Sequence, residues 1–119
     1  MGELTIGVFS SLVGGTTLAS AVKIAEAAVE KGHKVNFWVS GNAVALAKSG
    51  QKKFQDYSSL QEEVLALIDK GMEFTVCEAC AQARGIMKED SHEQMKRAAM
   101  DWYLAKGHGS DRLLHIGGE

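Results

Sequence analysis

Four short apolar runs along the chain predict β-strands. They span Leu4 to Phe9, Lys34 to Ser40, Met72 to Val76 and Ser110 to Ile116. Each run is rich in apolar or β-branched residues and has a glycine close to one of its ends, which is typical of short buried strands. We therefore expect a sheet built from these four strands.

Helical periodicity follows the first two runs. The first helix begins after Thr16 or Thr17, either of which can cap it, and ends at Gly32. A second, alanine-rich helix is short and covers Asn42 to Lys48. The apolar positions that recur at helical spacing in the first helix are Leu18, Ala21, Val22, Ala25, Ala28 and Val29.

Capping-box patterns predict where two later helices begin. Ser58 or Ser59 opens a helix that ends at Gly71, and Ser91, followed by Gln94 three residues on, opens the last helix. The positions that these two helices are expected to bury are Leu60, Val64, Leu65, Leu67 and Ile68 in one, and Met95, Ala98, Ala99, Trp102 and Tyr103 in the other.

The alternation of strands and helices predicts the fold class. Such βαβ units give a parallel sheet that is covered on both faces, with right-handed crossovers. We therefore expect a single α/β domain over residues 1–119, a three-layer sandwich with a mainly parallel open sheet of the flavodoxin-like kind. Sites in such folds gather beyond the carboxyl ends of the strands, here at Ser10 to Gly15, Ser40 to Asn42 and Cys77.

Composition and charge exclude several classes of function. The 119 residues carry a formal net charge of −2, which argues against a broad surface for nucleic acid or anionic membrane. No window approaches the length of a spanning helix, and the segment MGELTIGVFSS lacks the basic start of a secretory signal. We expect a cytoplasmic protein with reduced thiols.

Cys77 and Cys80 carry the most informative chemistry. Cys77 ends the third strand, and the alanine-rich run after it predicts a helix to about Arg84. A thiol between a strand end and a helix start has its pKa lowered by nearby N–H groups, and its thiolate attacks disulfide or persulfide sulfur. Cys80 lies one turn later on the same side. The alternative is that both cysteines are small core residues, because free cysteine is often buried.

The segment EFTVCEACAQARGI resembles the DsrE/TusD/DsrF-like family of sulfur-relay proteins. In that family a strand ends in a cysteine that carries sulfur as a persulfide, and an Arg-Gly pair follows a short helix. Cys77 matches that cysteine, and Arg84 and Gly85 match the Arg-Gly. Subunits of the TusD type often have alanine where this chain has Cys80, whereas other members carry a second cysteine. The resemblance extends more loosely over the whole chain and implies a DsrE-like fold.

The resemblance implies a sulfurtransferase-type carrier. Cys77 thiolate would take sulfane sulfur from a donor as Cys77–S–SH and yield it to the thiol of a partner protein or small molecule. The family forms homotrimers, hexamers and mixed hexamers, so a homotrimer or homohexamer is implied. His108, on a loop before the last strand, could approach Cys77 of the next chain and tune its thiolate. Arg84 is interpreted as a structural or interface charge.

A rim of small residues is expected around the cysteine pair. Ser10, Gly14, Gly15 and Gly41 form this predicted rim. The segment Ser10 to Thr17 resembles a phosphate-cradling turn, but it lacks the P-loop ending and the GxGxxG spacing, so no cofactor is expected. No metal is expected either, because structural zinc needs four ligands and the chain offers two cysteines and four scattered histidines.

Two other functions stay open on the sequence. In the first, Cys80 attacks a persulfide on Cys77 and gives a Cys77–Cys80 disulfide and hydrosulfide, so that the protein is a thiol–disulfide oxidoreductase. In the second, both cysteines are buried and the chain is a non-catalytic ligand-binding or assembly subunit.

Overall fold

A computed structural model describes residues 2–10, 16–53 and 60–117. It contains a five-stranded sheet between helices. The strands are β1 (Glu3–Phe9), β2 (Lys34–Ser40), β3 (Glu73–Cys77), β4 (Lys96–Ala98) and β5 (Arg112–Gly117). The helices are α1 (Thr17–Glu30), α2 (Gln61–Asp69), α3 (Glu78–Ala83) and α4 (Met100–Gly109), with 3₁₀ helices at Gly41–Ala47 and Lys88–Asp90.

The strands lie in the order β4-β3-β2-β1-β5, and the pairings between them are parallel. From β1 to β4 each strand is added on the same side, and the chain then returns to place β5 on the other side of β1. Because parallel crossovers are right-handed, α4 covers the face opposite to α1 and α2. The predicted three-layer α/β sandwich with a parallel sheet is confirmed.

Alternation along β1 separates the two faces of the sheet. Ile6 and Val8 are fully buried in the main core, together with the predicted buried face of α1. Gly7 between them faces α4, where the ring of Tyr103 lies so close that a Cβ atom on Gly7 would overlap it. The α1 residues that are buried are Leu18, Ala21, Val22 and Ala25, with Ala28 and Val29 packed against the core.

Aromatic rings fill the layer between the sheet and α4. Trp38 on β2 is fully buried and stacks on Trp102 and Tyr103 of α4, with ring centroids 6.0 and 5.9 Å apart. Phe9 at the end of β1 meets the Tyr103 ring edge-on at 5.7 Å. These contacts fix the position of α4 over the carboxyl half of β1 and β2.

The predicted helix from Ser91 is wrong over its first half. Lys96–Ala98 instead forms β4, which pairs with β3 so that Cys77 lies opposite Ala98. The apolar spacing from Met95 onward fits a helix, but backbone pairing with β3 provides hydrogen bonds that a local pattern cannot reveal. The helix begins only at Met100.

The structure differs from the prediction at His108, and it does not describe the predicted caps of α2. His108 lies in the last turn of α4 rather than on a loop. The proposed caps Ser58 and Ser59 lie outside the described residues, and α2 begins at Gln61. Of the positions assigned to that helix, Val64 and Leu67 are buried, and Leu60, Leu65 and Ile68 pack partly buried against the core. Among residues 2–10, 16–53 and 60–117, no helix has the length and apolar character needed to cross a bilayer.

Candidate functional site

A cavity of about 550 Å³ opens at the carboxyl edge of the sheet. It lies beside β1, at the point where the order of the strands reverses, and this is where ligands bind in open α/β sheets. The residues that line it come from β1, β2 and β5, from the 3₁₀ helix after β2, and from α3 with the residue that ends it: Phe9, Ser40, Gly41, Asn42, Cys80, Arg84 and His115.

A sharp turn after β2 shapes one wall of the cavity. Gly41 has φ +65°, in the left-handed region that favours glycine, and it starts the 3₁₀ helix directly after Ser40. The turn brings Ser40 and Asn42 to the same opening. Gly41 itself also lines the cavity.

The two cysteines have different surroundings. Cys77 ends β3 and is buried, with 7% of its surface exposed, and it does not line the cavity. Cys80, one turn into α3, is half-buried and faces the cavity. Its Sγ lies 3.5 Å from Ser40 Oγ, within hydrogen-bond distance for sulfur. The thiol open to a ligand is therefore Cys80.

The same surroundings move the two thiol pKa values in opposite directions. Burial raises the pKa of Cys77, and its hydrogen bond with the Cys80 side chain adds to this, although hydrogen bonds from the Cys80 backbone and from Ser40 act against it. Burial also opposes ionisation of Cys80, but hydrogen bonds from Ser40, the Gly41 backbone and Cys77, with the nearby Arg84 charge, outweigh it and lower the Cys80 pKa. The lowered pKa that the strand-end position predicted for Cys77 is found at Cys80.

Arg84 connects the end of α3 to the 3₁₀ helix that follows β2. Its Nε donates to Asn42 Oδ1 at 2.9 Å, and its Nη1 donates to the carbonyl oxygen of Cys80 at 3.0 Å. Gly85 follows with φ +75° and ends the helix. Arg84 therefore links α3 to the segment after β2, and it also brings positive charge to the cavity.

An ion pair between Glu78 and Arg97 holds the start of α3 against β4. Arg97 on β4 donates from Nε to Glu78 Oε1 at 2.9 Å and from Nη2 to Glu78 Oε2 at 2.8 Å. The Arg97 side chain is 6% exposed, and its Nη1 also donates to Ser91 Oγ at 2.8 Å. Arg97, with help from Gln82, lowers the pKa of Glu78. A bidentate pair of this kind fixes orientation as well as distance, so β4 positions the helix that carries Cys80.

His115 on β5 contributes to the cavity from the other side of β1. Its ring stacks on Phe9 with centroids 4.3 Å apart, and its Nδ1 lies 2.9 Å from the hydroxyl of Tyr103. Burial raises the pKa of that tyrosine. Tyr103 occupies Nδ1, which leaves Nε2 for other partners. The sequence placed His115 on the last strand without choosing its face, and Gly7, which makes room for Tyr103, was the overlooked signal because a glycine inside a strand marks close approach.

Two of the other predicted site residues, His108 and Ser10, are described by the structure and do not line the cavity. His108 is exposed in the last turn of α4, which leads into the amino end of β5, whereas Cys77 lies at the carboxyl end of β3. Ser10 directly follows β1 but does not line the cavity. Gly14 and Gly15, with most of the phosphate-like turn, lie outside the described residues.

The described parts of the chain do not gather metal-binding side chains into a centre. No group of three or more His, Cys, Asp or Glu residues lies together there in a way that could hold a metal ion. The polar groups of the cavity suit an anionic or sulfur-bearing ligand, because they combine a thiol, a hydroxyl, a guanidinium and an imidazole.

Solved structures show the same fold. The YchN protein of E. coli superposes with a TM-score of 0.88 at 18% identity, covering 97% of this chain and 99% of that one. MTH1491 of Methanobacterium thermoautotrophicum, described as a protein of unknown function, gives a TM-score of 0.74 at 10% identity, covering 95% and 97%. These likenesses support the flavodoxin-like, DsrE-like architecture.

Sequence relatives and a family model identify the family. The uncharacterized protein MJ0989 of Methanocaldococcus jannaschii is 29% identical over 112 residues, which cover 94% of this chain and 97% of that protein. The uncharacterized protein MK0008 of Methanopyrus kandleri is 28% identical over 99 residues, covering 82% and 79%. The model of the DsrE/DsrF-like family matches residues 6–116. This chain therefore belongs to the DsrE/DsrF-like family.

Proposed function

We propose that this protein is a small cytoplasmic sulfur carrier that accepts sulfane sulfur as a persulfide on Cys77 and passes it to a partner thiol. Membership of the family suggests a role related to sulfur relay. The observation that carries the proposal is the Cys77–Cys80 pair beside a cavity, with one thiol whose pKa is lowered. Both cysteines are free rather than bridged, so the pair can take up sulfur.

The transfer needs no external oxidant or reductant. A cysteine thiolate attacks the outer sulfur of a donor persulfide, R–S–SH, so that a new S–S bond forms on the protein and the donor S–S bond breaks. The donor leaves as the thiolate RS⁻ and takes a proton from solvent. The reverse exchange with an acceptor thiolate returns the protein to its free thiols.

Mass spectrometry of the intact protein tests this proposal. After incubation with a small-molecule persulfide and removal of excess donor, the protein should gain the mass of one sulfur atom. The variant in which both Cys77 and Cys80 are serine should gain none, and an acceptor thiol should remove the sulfur from the wild type. A wild type that shows no mass gain under these conditions would contradict the carrier role.

A thiol–disulfide oxidoreductase is the second candidate, and the contact between the two thiols favours it. In that case Cys77–SH attacks the inner sulfur of a persulfide on Cys80, or the reverse, and gives a disulfide and hydrogen sulfide. The same mass spectrum distinguishes the two functions. A loss of two hydrogens with sulfide release indicates the oxidoreductase, whereas a stable gain of sulfur indicates the carrier.

The proposed function includes partners and self-association. We expect sulfur-donor and sulfur-acceptor proteins or small thiols as partners, and a homotrimer or homohexamer as the working assembly. The exposed side chains of Leu104 on α4 and Leu113 on the edge strand β5, 63% and 52% exposed, support a surface for self-association. Light scattering on a size-exclusion column gives the subunit number, and a monomer at cellular concentrations would contradict the assembly.

A further inference from the structure

We infer that Cys80, rather than Cys77, is the thiol that first meets the sulfur donor, and that it relays the sulfur to Cys77 within the chain. This inference rests on the proposed function and assigns an order to its two thiols. It follows from where each side chain lies, since Cys80 lines the cavity and Cys77 is buried behind it.

Access is the first argument. An attacking thiolate must align with the S–S bond of its donor, so the donor sulfur has to reach the thiol along a free path. The cavity offers that path to Cys80 from the carboxyl edge of the sheet. Cys77 has 7% of its surface exposed and does not line this cavity.

Polar contacts at Cys80 are the second argument. Ser40 Oγ lies 3.5 Å from Cys80 Sγ and can donate to a thiolate there. Arg84 lines the same cavity and places its guanidinium beside the helix turn that holds Cys80. The pKa values follow the same order, with that of Cys80 lowered and that of Cys77 raised mainly by burial.

The relay step balances without a co-reactant. Cys80 thiolate takes the outer sulfur of R–S–SH, and the donor leaves as RS⁻. Cys77 then loses its proton to the departing Cys80 thiolate as its sulfur attacks the outer sulfur of Cys80–S–SH. The products are Cys77–S–SH and Cys80–SH, so the sulfur ends on the buried thiol and the receiving thiol is restored.

Single cysteine variants test the order of the two thiols. Cys80→Ser should load sulfur from a small persulfide about tenfold more slowly than the wild type, because the remaining thiol is buried and does not line the cavity. Cys77→Ser should load at close to the wild-type initial rate and carry the sulfur on Cys80. Thermal melting of both variants checks that each is folded. Loading of Cys80→Ser at the wild-type rate would overturn the inference and leave the carrier role intact.

Alkylation without any sulfur donor separates the inference from the proposed function. Iodoacetamide should modify Cys80 before Cys77, which peptide mapping can measure. The pH midpoint of Cys80 alkylation should lie below that of an ordinary cysteine. Ser40→Ala should shift that midpoint upward, whereas Ser49→Ala, which removes a hydroxyl that bonds the Asp90 carbonyl, should leave it unchanged. Modification of Cys77 first would overturn the inference even if persulfide loading fails altogether.

Discussion

Close packing between Gly7 and Tyr103 makes Gly7→Ala a sharp test of the site's architecture. A Cβ atom on Gly7 would overlap the tyrosine ring and its hydroxyl. The ring cannot yield easily, because it is 4% exposed, stacks on Trp38 and bonds His115. Something must therefore shift in the layer beneath α4.

The expected cost has two parts. Overpacking a well-filled core costs about 1 to 3 kcal/mol. Displacement of the ring also weakens the bond from Tyr103 to His115, which adds about 1 kcal/mol. At about 4 °C or more per kcal/mol for a domain of this size, the melting temperature should fall by on the order of 10 °C.

Thermal unfolding followed by circular dichroism measures this effect against a matched control. Gly109→Ala adds the same methyl group where no atom lies within 4 Å, so it should change the free energy of unfolding by no more than about 0.5 kcal/mol. Gly7→Ala with Tyr103→Leu should be less damaged than the sum of the two single changes, because the clash is relieved. Equal melting temperatures for wild type, Gly7→Ala and Gly109→Ala would refute the packing.

Two further predictions concern charged groups. Arg97→Ala should destabilise the fold by about 1 to 3 kcal/mol in urea unfolding, because it removes two charged hydrogen bonds to Glu78. The control is the exposed neighbour, since Lys96→Ala should have little effect on the free energy of unfolding. Equal losses of stability in the two variants would contradict the pairing. The hydrogen bond from Lys34 is the main cause that lowers the Glu73 pKa, against the effect of burial. The stabilisation that ionised Glu73 contributes is therefore present above the unfolded pKa of about 4.3, and it is lost as the pH falls through the pKa of Glu73 in the folded protein. Glu73→Gln should remove this loss of stability at acid pH, which amounts to less than about 1 kcal/mol because the Glu73 side chain is 40% exposed. A variant whose stability depends on pH as that of the wild type does would contradict the prediction.

Much of the sheet could be predicted from the sequence because its long elements carry strong periodic signals. The apolar runs of β1, β2 and β3 and the helical spacing of α1 all correspond to buried positions. β4 could not be predicted, because three residues, Lys96–Ala98, carry no period and become a strand only by pairing with β3. Whether such a short segment becomes a strand, and in which register, is determined by the backbone of the neighbouring strand.

The candidate site divides in the same way. The motif around Cys77 placed this cysteine at the carboxyl end of a strand, and Cys77 is the last residue of β3. The sequence predicted the lowered pKa at Cys77 rather than at Cys80, because the difference depends on burial and on Ser40, which is 40 residues from Cys80 in the chain. It could not show that His115 faces the cavity either, since that depends on Tyr103 and on the missing side chain at Gly7.

The shortness of α3 determines how the buried thiol behaves in time. A helix of six residues has no stability of its own in water, so α3 depends on its neighbours, through the buried Ala81, the Glu78–Arg97 ion pair and the Arg84–Asn42 hydrogen bond. These contacts can open while the central strands stay paired, at a free energy below that of global unfolding. Amide protons of α3 should therefore exchange before those of β1 and β2. Bulky reagents would reach Cys77 at a rate set by this local opening equilibrium rather than by the reactivity of its sulfur.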